Sequence, residues 1–173
     1  MDAIENILSR KSVREFSDKN ISQEDIKTIL TAGMSGPSAV NMRPFDFIVT
    51  QKRELLERIS DEIGRYSDPI KKCNLGILVC GDSDKGYLGK DGYWPLDCAI
   101  AAQNMILAAH ALGIGSVWIA VYPERPRYSG LQKLFSLKDH VYPLAALAFG
   151  YPLDDKREIR DQYEVEKVHW DKW

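Results

Sequence analysis

The stretch DCAIAAQNMILAAHALGIGSVWI, residues 97–119, carries the fold in its order of events: an apolar helix, a pair of glycines, then a strand. From Asp97 to Leu112 the run is apolar nearly all round, with Gln103, Asn104 and His110 as its polar interior residues behind an Asp97 N-cap. That pattern predicts a buried helix, with Gln103 and Asn104 in buried contacts. At about 16 residues it falls short of the roughly 20 that span a bilayer. Its alanines let another helix pack closely, including the same helix of a second copy. Gly113-Ile114-Gly115 leads into a strand over Ser116 to Tyr122. A dinucleotide fingerprint runs strand, glycines, helix, so the reverse order here excludes it.

Working outward toward the C-terminus, Leu131, Leu134 and Phe135 mark a short helix, and Val141 to Phe149 a last strand that ends at Gly150-Tyr151-Pro152. Residues 153–173 form a polar tail with Lys156, Arg157 and Arg160, followed by Tyr163, Trp170 and Trp173. Such aromatics need cover, so the tail is expected to wrap onto the body or a partner. Toward the N-terminus, Gly81 to Gly92 reads as a mobile surface loop. It lacks the earlier glycine and the Ser/Thr of a phosphate-binding P-loop, and Tyr93 stands where a calcium loop needs a glutamate. Leu75 to Cys80 reads as a buried strand, Arg53 to Arg65 as an amphipathic helix on Leu55, Leu56, Ile59 and Ile63, and Phe45 to Thr50 as a strand. Ser22 with Asp25 caps a helix whose face is Ile26, Ile29, Leu30 and Gly33, with Ile21 as its hydrophobic staple. Asp2 with Glu5 caps the first helix, whose apolar stripe is Ile4, Ile7 and Leu8.

With 173 residues, 45% of them hydrophobic, the chain is long enough to bury a core and is expected to form one domain over 1–173. A formal charge of -2 argues against nucleic acid as a partner. The acidic start Met-Asp-Ala-Ile-Glu has no charged leader before an apolar block, which points to the cytoplasm, and no membrane partner is expected. Cys73, Cys80 and Cys98 lie in apolar surroundings without Cys-x-x-Cys spacing, which favours buried, reduced thiols over disulfides or zinc. His110, His140 and His169 are equally scattered, and no spacing suggests a metal.

The chemistry is concentrated in RKSVREF, residues 10–16. In an extended conformation Arg10, Ser12 and Arg14 point to one side while Lys11 and Val13 point to the other, so one face carries only anion binders. The two arginine Cα atoms then sit roughly 13 Å apart, a span that suits a long ligand with an anionic end. A guanidinium grips phosphate through a planar pair of donors and a hydroxyl adds another, so a phosphorylated cofactor fits; a solvated basic segment is the plainer alternative. PSAVNMRPF, residues 37–45, reads as an ordered loop whose backbone can approach a ligand or another subunit.

Taken together, RKSVREF, PSAVNMRPF, DCAIAAQNMILAAHALGIGSVWI and VYPLAALAFGYP resemble, in order and spacing, the FMN-dependent nitroreductase family, and most closely its short members with an aromatic tail like HWDKW. The resemblance covers essentially the whole chain. It implies an α+β, three-layer α/β/α fold with a central mixed sheet, built as an intertwined homodimer with tightly bound FMN in the interface. It also implies reduction by NADH or NADPH and electron delivery to a nitroaromatic, quinone or similar small acceptor. By the same resemblance Arg10 and Ser12 hold the FMN phosphate, Lys11 lies near the ribityl chain and Arg14 toward the pyrimidine edge. Pro37, Ser38 and Asn41 line the flavin from the other subunit, Trp118 and Ile119 pass beneath the ring, and Arg160 reaches back to the phosphate. Two positions depart from the usual pattern: Arg43 stands where Gln is frequent, and Ala120 where Gly is frequent. Arg43 is thus expected either beside the flavin or in an ion pair with Asp46. No catalytic side chain is expected, because the flavin itself carries the hydride.

Overall fold

A computed structural model describes residues 2–154, 156 and 158–173. Four strands form one sheet in the order β1-β2-β4-β3, with β1 Phe45–Thr50, β2 Leu75–Asp82, β3 Gly115–Ala120 and β4 Val141–Gly150. All three pairings are antiparallel. The expected mixed sheet is therefore corrected: the parallel component is a single bridge, Ser12 to Ser116, along the outer edge of β3. β2 and β3 each pair antiparallel with β4 between them and so run in the same direction; the connection through the helix 94–111 is a crossover, and β4 fills the place between the two strands it joins.

Both faces of the sheet are covered, and the alternation of side chains sorts the core into two halves. Leu75, Ile77 and Val79 of β2 join Ala145, Leu147 and Phe149 of β4 against α2 (Gln23–Met34) and α5 (Trp94–Ala111). Leu78 and Cys80 join Ala146, Ala148, Val117 and Ile119 on the opposite face, under α3 (Arg53–Ile63), α4 (Asp68–Lys72) and α6 (Arg125–Leu134). Helices α2 and α5 approach closely at Gly33, where a Cβ would come within 2.8 Å of Met105 Cγ and 3.3 Å of the Ala101 carbonyl. Burial raises all three thiols: Cys73 to about 11, Cys80 to about 12, and Cys98 further still. They are free, as the sequence indicates. No helix among the described residues is long and apolar enough to cross a membrane.

The caps at Asp2 and Ser22 form as expected: Asp2 accepts from the Ile4 and Glu5 amides, and Ser22 from the Asp25 amide. Asp97 is a correction. Pro95 lets α5 begin at Trp94 with Tyr93 as its N-cap, which places Asp97 inside the first turn, buried, and not at the cap. Gln103 is a second correction, since it is exposed; Asn104 is half-buried and donates to the Ala32 carbonyl at 3.2 Å. One stripe of α5 faces outward instead, with Leu96 59% exposed. Residues 81–92 are also more ordered than a surface loop. Asp82 and Ser83 are buried, Asp82 Oδ1 accepts from the Asp84 and Lys85 amides, and a Cβ on Gly81 would run into the indole of the fully buried Trp94.

The stripe of α1 (Ala3–Ser9) is not covered by any of the described residues: Ile4 is 65% exposed, and Ile7 and Leu8 are exposed beside it. The tail follows the body through the Phe16–Pro152 bridge and the Leu153 amide to the Glu15 carbonyl. Beyond Arg160 its Tyr163, Trp170 and Trp173 are exposed.

Candidate functional site along the edge of β3

The chain leaves α1 in extended backbone at Arg10, with φ -60 and ψ 129, and then lies along β3. The Val13 amide donates to the Ser116 carbonyl at 2.8 Å. Val13 packs its side chain on Gly115, where a Cβ would stand 2.8 Å from the Val13 Cβ, so the glycine is what allows the segment to sit this close. The expected alternation follows. Lys11 and Val13 turn toward a small recess beside His110, while Ser12 and Arg14 are exposed and Arg10 is half-buried.

Beyond Val13 the segment borders a cleft of about 520 Å³, within the roughly 300–1,000 Å³ of ligand pockets. Arg14 and Glu15 form one wall, Val117 to Ala120 the floor, Tyr66, Asp68, Pro69 and Lys72 the other wall, and Arg127 the far end. The floor is a strand edge. The Ser116 carbonyl accepts from Val13 and the Ala120 carbonyl from Arg127 Nη1 at 2.9 Å, so both point away from β4. Every second residue of a strand faces the same edge, so Trp118, midway between them, presents its N–H and C=O into the cleft. An unpaired donor and acceptor side by side can bind the edge of a planar heterocycle. The Trp118 side chain turns into the core shared with α2 and α5, while Val117 and Ile119 face the other layer.

The cations of the cleft differ in their engagement. Lys72 pairs with Glu15 at 2.6 Å, and that hydrogen bond raises the Lys72 ammonium above its ordinary value. Arg127 pairs with Glu124 at 3.1 Å and also donates to the Arg65 carbonyl at 3.4 Å. Arg14 has no ion-pair or hydrogen-bond partner for its guanidinium among the described residues, so it is the cation of the cleft available to a ligand. The sequence pointed to Arg14, Trp118 and Ile119 but not to Tyr66, Asp68, Pro69, Lys72 or Arg127. No spacing links those residues to RKSVREF; only the packing of α4 and α6 under the same sheet face brings them there.

Pro37, Ser38, Asn41 and Arg43 do not line this cleft. They occupy the loop between α2 and β1, and β1 and β3 are opposite edges of the sheet, three strand spacings or about 14 Å apart. Val40, Asn41 and Arg43 have φ of 51°, 57° and 52°, the left-handed region that non-glycine residues seldom occupy. The Ser38 hydroxyl accepts from the Arg43 amide at 2.9 Å. Asp46 pairs with Lys85 at 3.6 Å, not with Arg43, whose guanidinium lies 5.5 Å from the centroid of the Phe45 ring. Arg160 shares a surface recess with Lys11, Asp154, Lys156 and Glu158, and its amide lies 3.5 Å from the Leu8 carbonyl. Arg157 lies outside the described residues.

Comparison with known proteins identifies the family and agrees with the fold. The nitroreductase family model matches residues 7–79 and 66–151. A protein of Methanothermobacter thermautotrophicus named "Putative NADH dehydrogenase/NAD(P)H nitroreductase" is 42% identical over 173 residues, covering 100% of this chain and 88% of the relative. A crystal structure of a protein of the same name from Parabacteroides distasonis matches with a TM-score of 0.91 at 36% identity over 100% of both chains. An FMN-dependent nitroreductase from Clostridium difficile R20291 matches with a TM-score of 0.89 at 25% identity, covering 98% of this chain and 99% of that one. With the family model matched on both sides of the cleft and a relative this similar over its full length, the chain belongs to the nitroreductase family.

Proposed function

We propose that the protein is an FMN-dependent oxidoreductase that takes electrons from NADH or NADPH and passes them to nitroaromatics, quinones or similar small acceptors by a ping-pong scheme. The observation that carries this is the cleft on the edge of β3 away from β4, where Arg14, unpaired among the described residues, and the edge-facing backbone of Trp118 lie directly beyond Arg10 and Ser12. These groups fit a flavin mononucleotide: the Arg10 guanidinium and the Ser12 hydroxyl for a phosphate at one end, and the Arg14 guanidinium with a backbone donor and acceptor for a heterocycle at the other. Bound FMN would supply the hydride chemistry. The chain's own part is to bind and orient. Arg10 and Ser12 hold the phosphate, Lys11 and Arg160 add positive charge near it, and Arg14 and the Trp118 backbone hold the pyrimidine edge. The strand from Trp118 to Ile119 forms a shelf that closes one face of the ring.

The second half of the site belongs to a partner subunit in this reading. Ile4, Ile7 and Leu8 on α1, Leu96 and Ile100 on α5, and the tail tryptophans form exposed apolar surface that association would cover. A homodimer would bring Pro37, Ser38, Asn41 and Arg43 of one copy toward the cleft of the other. Free, buried cysteines suit a reducing compartment such as the cytoplasm.

The test is a visible spectrum after saturation with FMN, followed by anaerobic NADH and NADPH and then an acceptor. Retained FMN that bleaches with NAD(P)H and recovers with a nitroaromatic or quinone is the expected result. Retention of neither FMN nor FAD would overturn the reading, and FMN held without NAD(P)H consumption would make the protein a flavin carrier. Sedimentation at low micromolar concentration is expected to give a dimer. A flavin-loaded monomer would remove Ser38 and Asn41 from the site.

A further inference from the structure

The buried carboxylate of Asp97 has no role in the helix that carries it. Tyr93 caps α5, and Asp97 lies one turn further in, 3% exposed, with Leu96 and Ile100 of the outward stripe beside it. Its Oδ1 accepts the Ala39 amide at 2.9 Å across 58 positions of sequence, and its Oδ2 has no hydrogen-bond partner among the described residues. Burying a carboxylate on a single backbone donor is unfavourable unless something else depends on it, although the positive end of α5 offsets part of the charge.

What depends on it is the loop. Within residues 38–43 the turn bonds are local: Asn41 to the Ser38 carbonyl, Met42 to the Ala39 carbonyl, and Arg43 to the Ser38 hydroxyl. None of these ties the loop to the body. Val40, Asn41 and Arg43 are all left-handed, and Val40 is β-branched, for which that conformation is costly. Strained backbone of this kind persists only where its surroundings over-determine it. The Asp97–Ala39 hydrogen bond is the side-chain link from the body of the protein to the middle of this loop.

We propose that Asp97 is a positioning residue: by clasping the Ala39 amide it holds the Pro37–Arg43 loop in its left-handed form, and so sets the half of the flavin site that each subunit offers its partner. The inference rests on the proposed flavin site for its consequence, but not for the clasp itself. Two readouts keep the two apart. In flavin-free protein, hydrogen exchange of the Ala39 amide is expected to be slow in the wild type and at least tenfold faster in Asp97→Ala. In FMN-saturated protein, Asp97→Ala is expected to raise the FMN dissociation constant about tenfold and to change the visible circular dichroism of the bound flavin. Asp97→Asn, which keeps an acceptor of the same shape, is expected to stay within threefold of the wild type on both readouts. Ala39→Pro removes the donor instead of the acceptor. The preceding Ser38 has φ -139 and ψ 157, which suits a following proline, and Ala39 opens a helical turn where proline is accepted. Ala39→Pro is therefore expected to match Asp97→Ala in FMN affinity, and it carries the test should Asp97→Ala not fold. Unchanged FMN affinity and dichroism in both variants would overturn the proposal, as would Asp97→Asn being as impaired as Asp97→Ala. A wild type that holds no flavin would sink the functional reading while the exchange result still decides the clasp.

Discussion

The segment Arg10–Arg14 and the loop Pro37–Arg43 are both expected to face the same cofactor, yet they are held by opposite means. The first is fixed by backbone. It lies extended along β3, anchored by the Val13–Ser116 hydrogen bond and by Val13 on Gly115, and the side chains of Ser12 and Arg14 are left exposed. The second is fixed by side chains. Ser38 and Asp97 hold a backbone that pairs with no strand and carries only one short helical turn over Ala39–Asn41, with three residues in the left-handed region. Substitutions in the first region should therefore separate binding from folding, whereas in the second the two should move together.

The largest effect expected is on the backbone-held side. Arg10→Ala removes a charge-assisted phosphate contact worth about 1.5–3 kcal/mol, so FMN should weaken by roughly 10- to 150-fold while riboflavin and the melting temperature stay near the wild type. Titrations of both ligands decide this, and equal losses would contradict the phosphate assignment. Gly115→Val attacks the anchor of the same segment. The added side chain meets Val13, and overpacking of this kind costs about 1–3 kcal/mol, so here stability and FMN affinity should fall together in denaturation and binding measurements.

On the loop side, Arg43 is free of Asp46, which pairs with Lys85, and this favours its acting on the flavin. Arg43→Gln is expected to lower the midpoint potential of bound FMN by about 30 mV, equivalent to roughly 1.4 kcal/mol for a two-electron couple. An unchanged potential with FMN still bound would assign the guanidinium to Phe45 alone. The smallest effect is that of Ser38→Ala, which deletes the acceptor for the Arg43 amide. A loss of about 1 kcal/mol in unfolding free energy is expected, together with a change in flavin dichroism. A change in the flavin signal without any loss of stability would mean that Ser38 acts on the ligand directly and not through the loop.

By itself the sequence determined the features whose causes lie close together in the chain. The caps at Asp2 and Ser22, the strand Phe45–Thr50, and the alternation that separates Ser12 and Arg14 from Lys11 and Val13 each depend on residues within a few positions of one another. Tertiary structure decided whatever required distant segments to meet. Pro95 started α5 a turn early and turned Asp97 from an expected cap into a buried partner for Ala39. The stripe of α1 and the outward face of α5 are apolar in the sequence either way, and only the packed chain reveals that they are left uncovered. The cleft itself joins Arg14 to Tyr66, Lys72 and Arg127 across more than a hundred positions. Periodicity cannot encode such a meeting, because it follows from which helices pack under one face of a sheet and which strand is left with a free edge.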